Sequence, residues 1–385
     1  MGLSMPSPLV RGLFAIIIIA LVVLVHLKLL RWVTESHTRR RSVTWLLRGL
    51  AVLSASWILA SVFVRRAPGL DYVPVWLAWI FGLGITWGFC SLLVLGLSVI
   101  WRRLPAFNPR RRGFLLASRT ALIAAPAAVA GFGVFIGRKD IGLREINLRM
   151  AALPKDLDGF RLVQLSDIHL GPFFSRDDLA RAVDMANETR AHLAVVTGDL
   201  ITRRGDPLDT CLKELSRLKA DFGIWGCMGN HETYANTEDY TEREGARRGI
   251  GFLRQRAHWF SKGSARLNLA GVDYQSVRRP YLENAESLVA PDSFNILLSH
   301  NPDVLPMAAR KGFDLTIAGH THGGQINVEI LAQNISLARF ITPYVYGTYR
   351  AGESALYVTR GLGTVGVPAR LGAPPEVALI RLCAT

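Results

Sequence analysis

The sequence predicts an α/β domain carried behind a membrane region of four helices. Three observations lead there. The apolar excess is concentrated in the first third of the chain, short β-type runs alternate with helix-compatible stretches from about residue 140 onward, and those runs repeatedly stop at Asp, Asn, His or Gly.

Half of the 385 residues are hydrophobic, and the mean hydropathy is positive at +0.24, which is too apolar for an ordinary soluble chain. Four apolar stretches account for it, at about 13–30, 45–64, 75–100 and 114–136. Each approaches or exceeds the roughly 20 helical residues that cross a bilayer. Arginines cluster after the first stretch (Arg31, Arg39, Arg40, Arg41) and the third (Arg102, Arg103, Arg110, Arg111, Arg112), with only Arg65 and Arg66 after the second. By the positive-inside rule the first and third connections are cytoplasmic, so everything after residue 137 is expected on the exoplasmic side of the membrane.

The fourth stretch has a second reading. "RRRGFLLAS" (Arg110 to Ser118) and the Ala-rich run after it resemble a twin-arginine export signal, with Ala128, Val129 and Ala130 as a small-residue cleavage site. Arg119 and the internal position favour an uncleaved anchor, and both readings export the C-terminal domain.

The net charge of +15 raises the question of nucleic acid, but the arginines between apolar segments report membrane orientation instead, so no nucleic-acid partner is expected. The four cysteines show no paired spacing. Residues 138–159 are read as a linker, and 160–385 as one domain.

Strands are expected at 160–167, 192–199, 222–230, 265–273, 294–300, 313–320, 355–361 and 376–382, with helices at 176–190 and 209–219 between them. Almost every notable polar residue sits where such a strand stops. Asp167 and His169 follow the first, Asp199 the second, Asn230 and His231 the third, His300 the fifth, and His320 and His322 the sixth. Loops beyond strand ends are where α/β folds bind ligands. One crevice there would gather two carboxylates, an amide and up to five imidazoles. That mixture suits Mn, Fe or Zn, whereas Ca or Mg prefers oxygen alone. The donors exceed what one ion needs, and two ions sharing a carboxylate fit better.

The blocks "DIH" (167–169), "GD" (198–199), "GNHE" (229–232), "SHNPD" (299–303) and "GHTH" (319–322) stand in the order of the calcineurin-like metallophosphoesterase pattern, and the chain resembles that family over 160–323. "GHTHGGQ" with "TRGLGT" (359–364) further resembles its bacterial membrane-associated YkuE/YaeI-like phosphodiesterase subgroup. The resemblance implies an αββα sandwich of two mixed β-sheets flanked by helices. It implies two divalent metals, manganese favoured, with Asp167, His169 and His322 on the first, Asn230, His300 and His320 on the second, and Asp199 bridging. Two cations about 3.5 to 4 Å apart would activate a bridging water for in-line attack on a phosphodiester or pyrophosphate. His231 would bind the phosphate and protonate the leaving oxygen.

One departure stands out. Many members carry an acid three positions after the bridging Asp, where this chain has Thr202; Asp206 or Glu232 could take over.

Other polar and aromatic residues receive plainer readings. His192 and His258 match no block, Arg278 and Arg279 are read as solvated, Arg360 is left open, and Trp225, Trp259 and Phe260 are read as packing. The expected substrate is a lipid or cell-envelope phosphate ester. The contrasting reading is an anchored, non-catalytic metal-binding scaffold or sensor; a transporter is disfavoured because the spans lack mid-membrane acids and inverted repeats.

Overall fold

The computed structural model describes residues 16–17, 20–28, 31, 41–63, 74–102, 125–276, 281–330 and 333–385. The chain divides into two units, one holding the residues up to Ile136 with Gly366–Ala369, the other Gly137–Val365 with Arg370–Thr385.

The first unit is helical. Residues 20–28 are helical, α1 covers Arg41–Phe63 and α2 covers Val75–Arg102, matching the second and third expected spans. Among the described residues one helix, over Val75–Leu97, is long and apolar enough to cross a membrane; Ala51–Ala60 and Ala125–Gly137 are shorter apolar helices. Much of the first and fourth expected spans, Arg110 to Ser118 included, lies outside the described residues. His26 ties the helices together. Its Nδ1–H donates to the Val22 carbonyl (2.8 Å), so Nε2 accepts from the Ser54 hydroxyl (2.7 Å), and the Trp87 indole donates to that same oxygen.

Among the described residues the second unit has fourteen strands. One six-stranded sheet runs in the order β1 (Gly142–Met150), β14 (Glu376–Ala384), β2 (Arg161–Leu165), β3 (Leu193–Thr197), β4 (Ile224–Cys227), β5 (Ile250–Phe252). The other runs β12 (Gly347–Ala351), β13 (Ser354–Val358), β9 (Leu315–Ala318), β8 (Phe294–Leu298), β7 (Ala265–Gly271), β6 (Arg256–Lys262). A small hairpin pairs β10 (Asn327–Ile330) with β11 (Gln333–Ser336). Both large sheets are mixed: β14 is antiparallel to β2, and β12 and β6 are antiparallel to their neighbours, while the central strands are parallel.

Each central strand is apolar throughout because its alternate residues enter different layers. In β3, Leu193 and Val195 face the other sheet while Ala194 and Val196 face helices. The inter-sheet layer joins Leu162, Leu193 and Val195 to Leu267, Ile296 and Leu315. Helices α3 (Arg176–Glu188) and α4 (Leu208–Leu215) cover the outside of the first sheet, and α7 (Leu305–Lys311) lies over the second. A capping box between Ser175 and Asp178 starts α3. Short helices α5 (Asn230–Ala235) and α6 (Glu238–Arg247) complete the set. All eight expected strands and both expected helices are present.

The expected linker is corrected. Within 138–159, β1 pairs in parallel with β14 over nine residues, from Gly142 with Glu376 to Met150 with Ala384. The physical reason lies in "INLRM", where Leu148 and Met150 alternate with polar residues and bury themselves in the inter-sheet core.

Candidate metal centre

The five parallel strands β2, β3, β4, β8 and β9 all end at one edge of the sandwich, and each hands its next residues to the same cluster. The two sheets are stitched together there. Gln164 Nε2 donates across to the Ala318 carbonyl (3.0 Å), His300 Nδ1–H donates to the Thr197 carbonyl (2.6 Å), and the His320 amide donates to both oxygens of Asp167 (3.0 and 3.1 Å).

The donor atoms fall into two groups that meet at Asp199: Asp167, His169, Asp199 and His322 in one, and Asp199, His300 and His320 in the other, all within 4.8 Å inside each group. In the first, the Nε2 atoms of His169 and His322 face each other at 3.1 Å, and His169 Nε2 lies 3.5 Å from Asp199 Oδ2. In the second, His300 Nε2 lies 3.1 Å from that same oxygen. Asn230, also expected here, is buried, and its Oδ1 has no hydrogen-bond partner. A buried amide oxygen left without a partner is costly unless a cation completes it, and the mixed carboxylate and imidazole donors suit a divalent metal.

The backbone is bent to make this cluster. Asp167, His169, Asp199, His320 and His322 all adopt positive φ, between 46° and 76°. Each such residue costs on the order of 1–3 kcal/mol, which the surrounding sandwich must offset. Glycines make the remaining room. A Cβ on Gly229 would collide with Asp199 Oδ1, and one on Gly319 with Ser166 Oγ and Asp167 Oδ2, so no other residue fits.

Burial sets the charges. It drops His169 to about 3 and His320 to about 4, and pushes His322 well below its ordinary value, so these rings are neutral and have a lone pair to offer. For His300 burial works the same way, but the adjacent Asp199 carboxylate outweighs it and lifts the ring to about 10. Burial also raises Asp167 to about 6, whereas at Asp199 it is overcome by His300, which holds that carboxylate well below its usual range.

His231, the expected acid, stands beside the first group, edge-on to His169 with ring centroids 4.7 Å apart. Its Nδ1–H donates to the Thr202 carbonyl (2.6 Å) and its amide donates to Asp199 Oδ1 (2.9 Å). This answers the Thr202 question. No acid replaces the family's carboxylate at His231. Thr202 holds that ring through its backbone and His169 Nδ1 through its hydroxyl (3.2 Å), while Asp206 accepts from the amides of Thr202 and Arg203 and feels the His231 ring electrostatically without hydrogen-bonding it. Glu232 acts on the backbone instead, accepting from the amides of Asp199, Leu200 and Gly229, each at 2.8 Å. Burial raises it to about 7 and the Asp199 charge adds to this, with the Gly229 and Asp199 amides pulling the other way.

Three further residues are not evident from sequence. Ser166 donates to Asp167 Oδ2 (2.7 Å). Arg370, fully buried, donates to the carbonyls of Gly363, Ala373 and His322, fixing the "TRGLGT" loop, whose Gly363 amide reaches the Asp167 carbonyl (2.6 Å). Tyr274 sets its ring 5.7 Å from that of His320. A lone Arg or Tyr in a loop gives no periodicity or spacing to read.

The remaining residues sort plainly. Arg360 lies over the Tyr346 ring with Nε 3.8 Å from Glu376, so it is engaged structurally. His192 accepts from the Arg161 amide, and His258 stacks on Trp225. Phe260 packs edge-on to Trp225, but Trp259 is 56% exposed under Arg266, contrary to the packing expected of it. Arg278 and Arg279 lie outside the described residues.

A two-sheet sandwich with this carboxylate and imidazole cluster at its strand ends defines a metal-dependent phosphoesterase. The calcineurin-like phosphoesterase family model matches residues 160–324, and the chain belongs to that family. Among its relatives is the metallophosphoesterase YkuE of Bacillus subtilis, 31% identical over 71% of this chain and 98% of that protein. A zebrafish transmembrane protein with a metallophosphoesterase domain is 30% identical over 66% of this chain, which spans 60% of that protein. Cj0846 of Campylobacter jejuni, another metallophosphoesterase, is 26% identical over 81% of this chain and 79% of its own length.

Proposed function

We propose that the chain is a membrane-anchored, dinuclear phosphodiesterase-like hydrolase acting on a phosphodiester or pyrophosphate of lipid or cell-envelope origin. Asp167, His169 and His322 hold one divalent cation, Asn230, His300 and His320 the other, and Asp199 reaches both. The observation that carries this is the sharing of Asp199 between the two donor groups. Manganese is the first cation to try, since the donors mix imidazole nitrogen with carboxylate oxygen. When bound, the pair supplies Lewis-acid activation of water and neutralises phosphoryl charge.

The chain's own groups do the rest. Donating Nδ1–H to Thr202 leaves His231 Nε2 as the free end of that ring, and once protonated it can hydrogen-bond a phosphoryl oxygen and give its proton to the departing alkoxide. The hydrogen bond that the His231 backbone amide donates to Asp199 Oδ1 ties the acid to the carboxylate shared by the two donor groups, so both act on one ester. Glu232 and Ser166 lock the two carboxylates in place.

The envelope substrate rests on the membrane reading, supported by the apolar α2 helix and by relatives named as transmembrane proteins. We place the catalytic unit on the exoplasmic side, from the arginine pattern. A reporter enzyme fused at the C-terminus that works on one side only tests this, and cytoplasmic activity overturns it. The hydrolase reading is tested with bis-p-nitrophenyl phosphate and manganese on the purified protein, Asp199→Ala serving as control. Metal-dependent nitrophenol release is expected. Its absence would favour the scaffold reading.

A further inference from the structure

The helical unit holds a cavity of its own. It is a groove of about 1020 Å³ between the helix containing residues 20–28 and α1. That is the upper end of what ligand sites enclose. Its two ends differ in chemistry. Lys28 and Arg31 come from the end of the first helix and Arg48 from the early turns of α1, so the three cations share the end nearest the connection between them. Deeper in, the lining is Val23, Val52 and Leu59. No carboxylate lines it among the described residues.

We infer that this groove binds an anionic phospholipid of the bilayer, its phosphate held by Lys28 and Arg48 and one acyl chain lying along the apolar floor. Length agrees: at about 1.5 Å per residue, Arg48 to Leu59 spans roughly 16 Å, the reach of an acyl chain rather than of a small ion. The apolar floor is open for it, since Val23 is 42% and Val52 66% exposed. Trp45, over which the Arg48 guanidinium sits at 4.8 Å, marks the headgroup level, where tryptophan side chains collect. The walls are fixed rather than sliding, because the hydrogen bond from Ser54 to His26, itself a lining residue, clamps the two helices. Basic pockets between membrane helices recognise acidic headgroups by this combination of charge and apolar depth.

The inference rests on the membrane reading of these helices, which alkaline carbonate extraction tests by itself: a protein released from the membrane fails that reading before any lipid is added. The lipid is tested on the full chain in neutral detergent, by native mass spectrometry after mixing with phosphatidylglycerol or phosphatidylcholine. At least a tenfold preference for phosphatidylglycerol is expected. The double variant Lys28→Gln with Arg48→Gln should bring the two lipids near parity, and Lys28→Arg with Arg48→Lys should keep the preference, which separates lost charge from lost folding. Equal retention of both lipids by the natural chain overturns the proposal, as does an undiminished preference in the Gln variant. Displacement by inorganic phosphate alone would also overturn it, because the site would then take a free anion.

Discussion

The two halves of the metal centre are built from similar side chains and hold their protons differently. In the half containing His169 and His322 the imidazoles are neutral and their Nε2 atoms face each other. In the other half His300 carries a proton between two carboxylates, raised to about 10 by Asp199. On the proposed dinuclear reading, one half would receive a cation without releasing anything, while in the other a cation would have to displace the positive charge already there. Burial alone cannot produce this difference, since both rings are buried. What separates them is the distance to Asp199, 3.1 Å for His300 against 3.5 Å for His169, and the second imidazole at His169's other flank.

The largest effect should come from removing what the halves share. Asp199→Ala is expected to lower phosphodiester turnover by about a thousandfold or more, since several kcal/mol of transition-state stabilisation are lost at about 1.4 kcal/mol per tenfold. Elemental analysis should find both cations depleted; full occupancy with full activity would refute the shared carboxylate.

Next come changes confined to one half. His169→Ala and His320→Ala should each lower turnover roughly a hundredfold and each reduce bound metal from two per chain to one. If either variant emptied both positions, the halves would be a single unit and the contrast between them would fail.

A smaller loss, about tenfold, is expected for Thr202→Val, which removes the hydroxyl on His169 Nδ1 but leaves the carbonyl that holds His231. Its effect should appear in metal affinity, measured by titration, before it appears in turnover at saturating metal.

The smallest effect concerns stability against pH in the metal-free protein. A ring whose folded pKa is about 10 and whose unfolded value is near 6.5 binds an extra proton when folded, so its stabilisation is complete below about 6.5 and is lost as pH rises toward 10. Unfolding by denaturant between pH 7 and 10 should therefore show a decline on the order of 1 kcal/mol per pH unit. Saturating manganese should flatten that slope, because the proton has been displaced; an identical slope with and without metal would remove His300 from the account.

Much of this is legible in the sequence because the cluster is written as five short blocks, each at the end of an apolar run, and all eight expected strands form. The residues Asp167, His169, Asp199, His300, His320 and His322 stand in those blocks and have their donor atoms gathered, and Asn230 stands in one of them and is buried. What escapes reading has a physical cause. Strand β1 shows only weak alternation and owes its existence to a partner at the far end of the domain, which no local window contains. The edge strand β6, "RAHWFSK", is largely exposed and so lacks the apolar run that betrays central strands. Arg370 matters through carbonyl geometry, and Thr202 replaces an acid with a main-chain carbonyl, which has no letter in the sequence.

The parallel pairing of β1 with β14 bears on synthesis. Among the described strands of the catalytic unit a ribosome makes β1 first, yet its neighbour in the sheet, β14, is the last to be made. The nascent chain must therefore keep Leu148 and Met150 out of trouble through almost the whole of translation, and the sheet can close only once β14 has emerged.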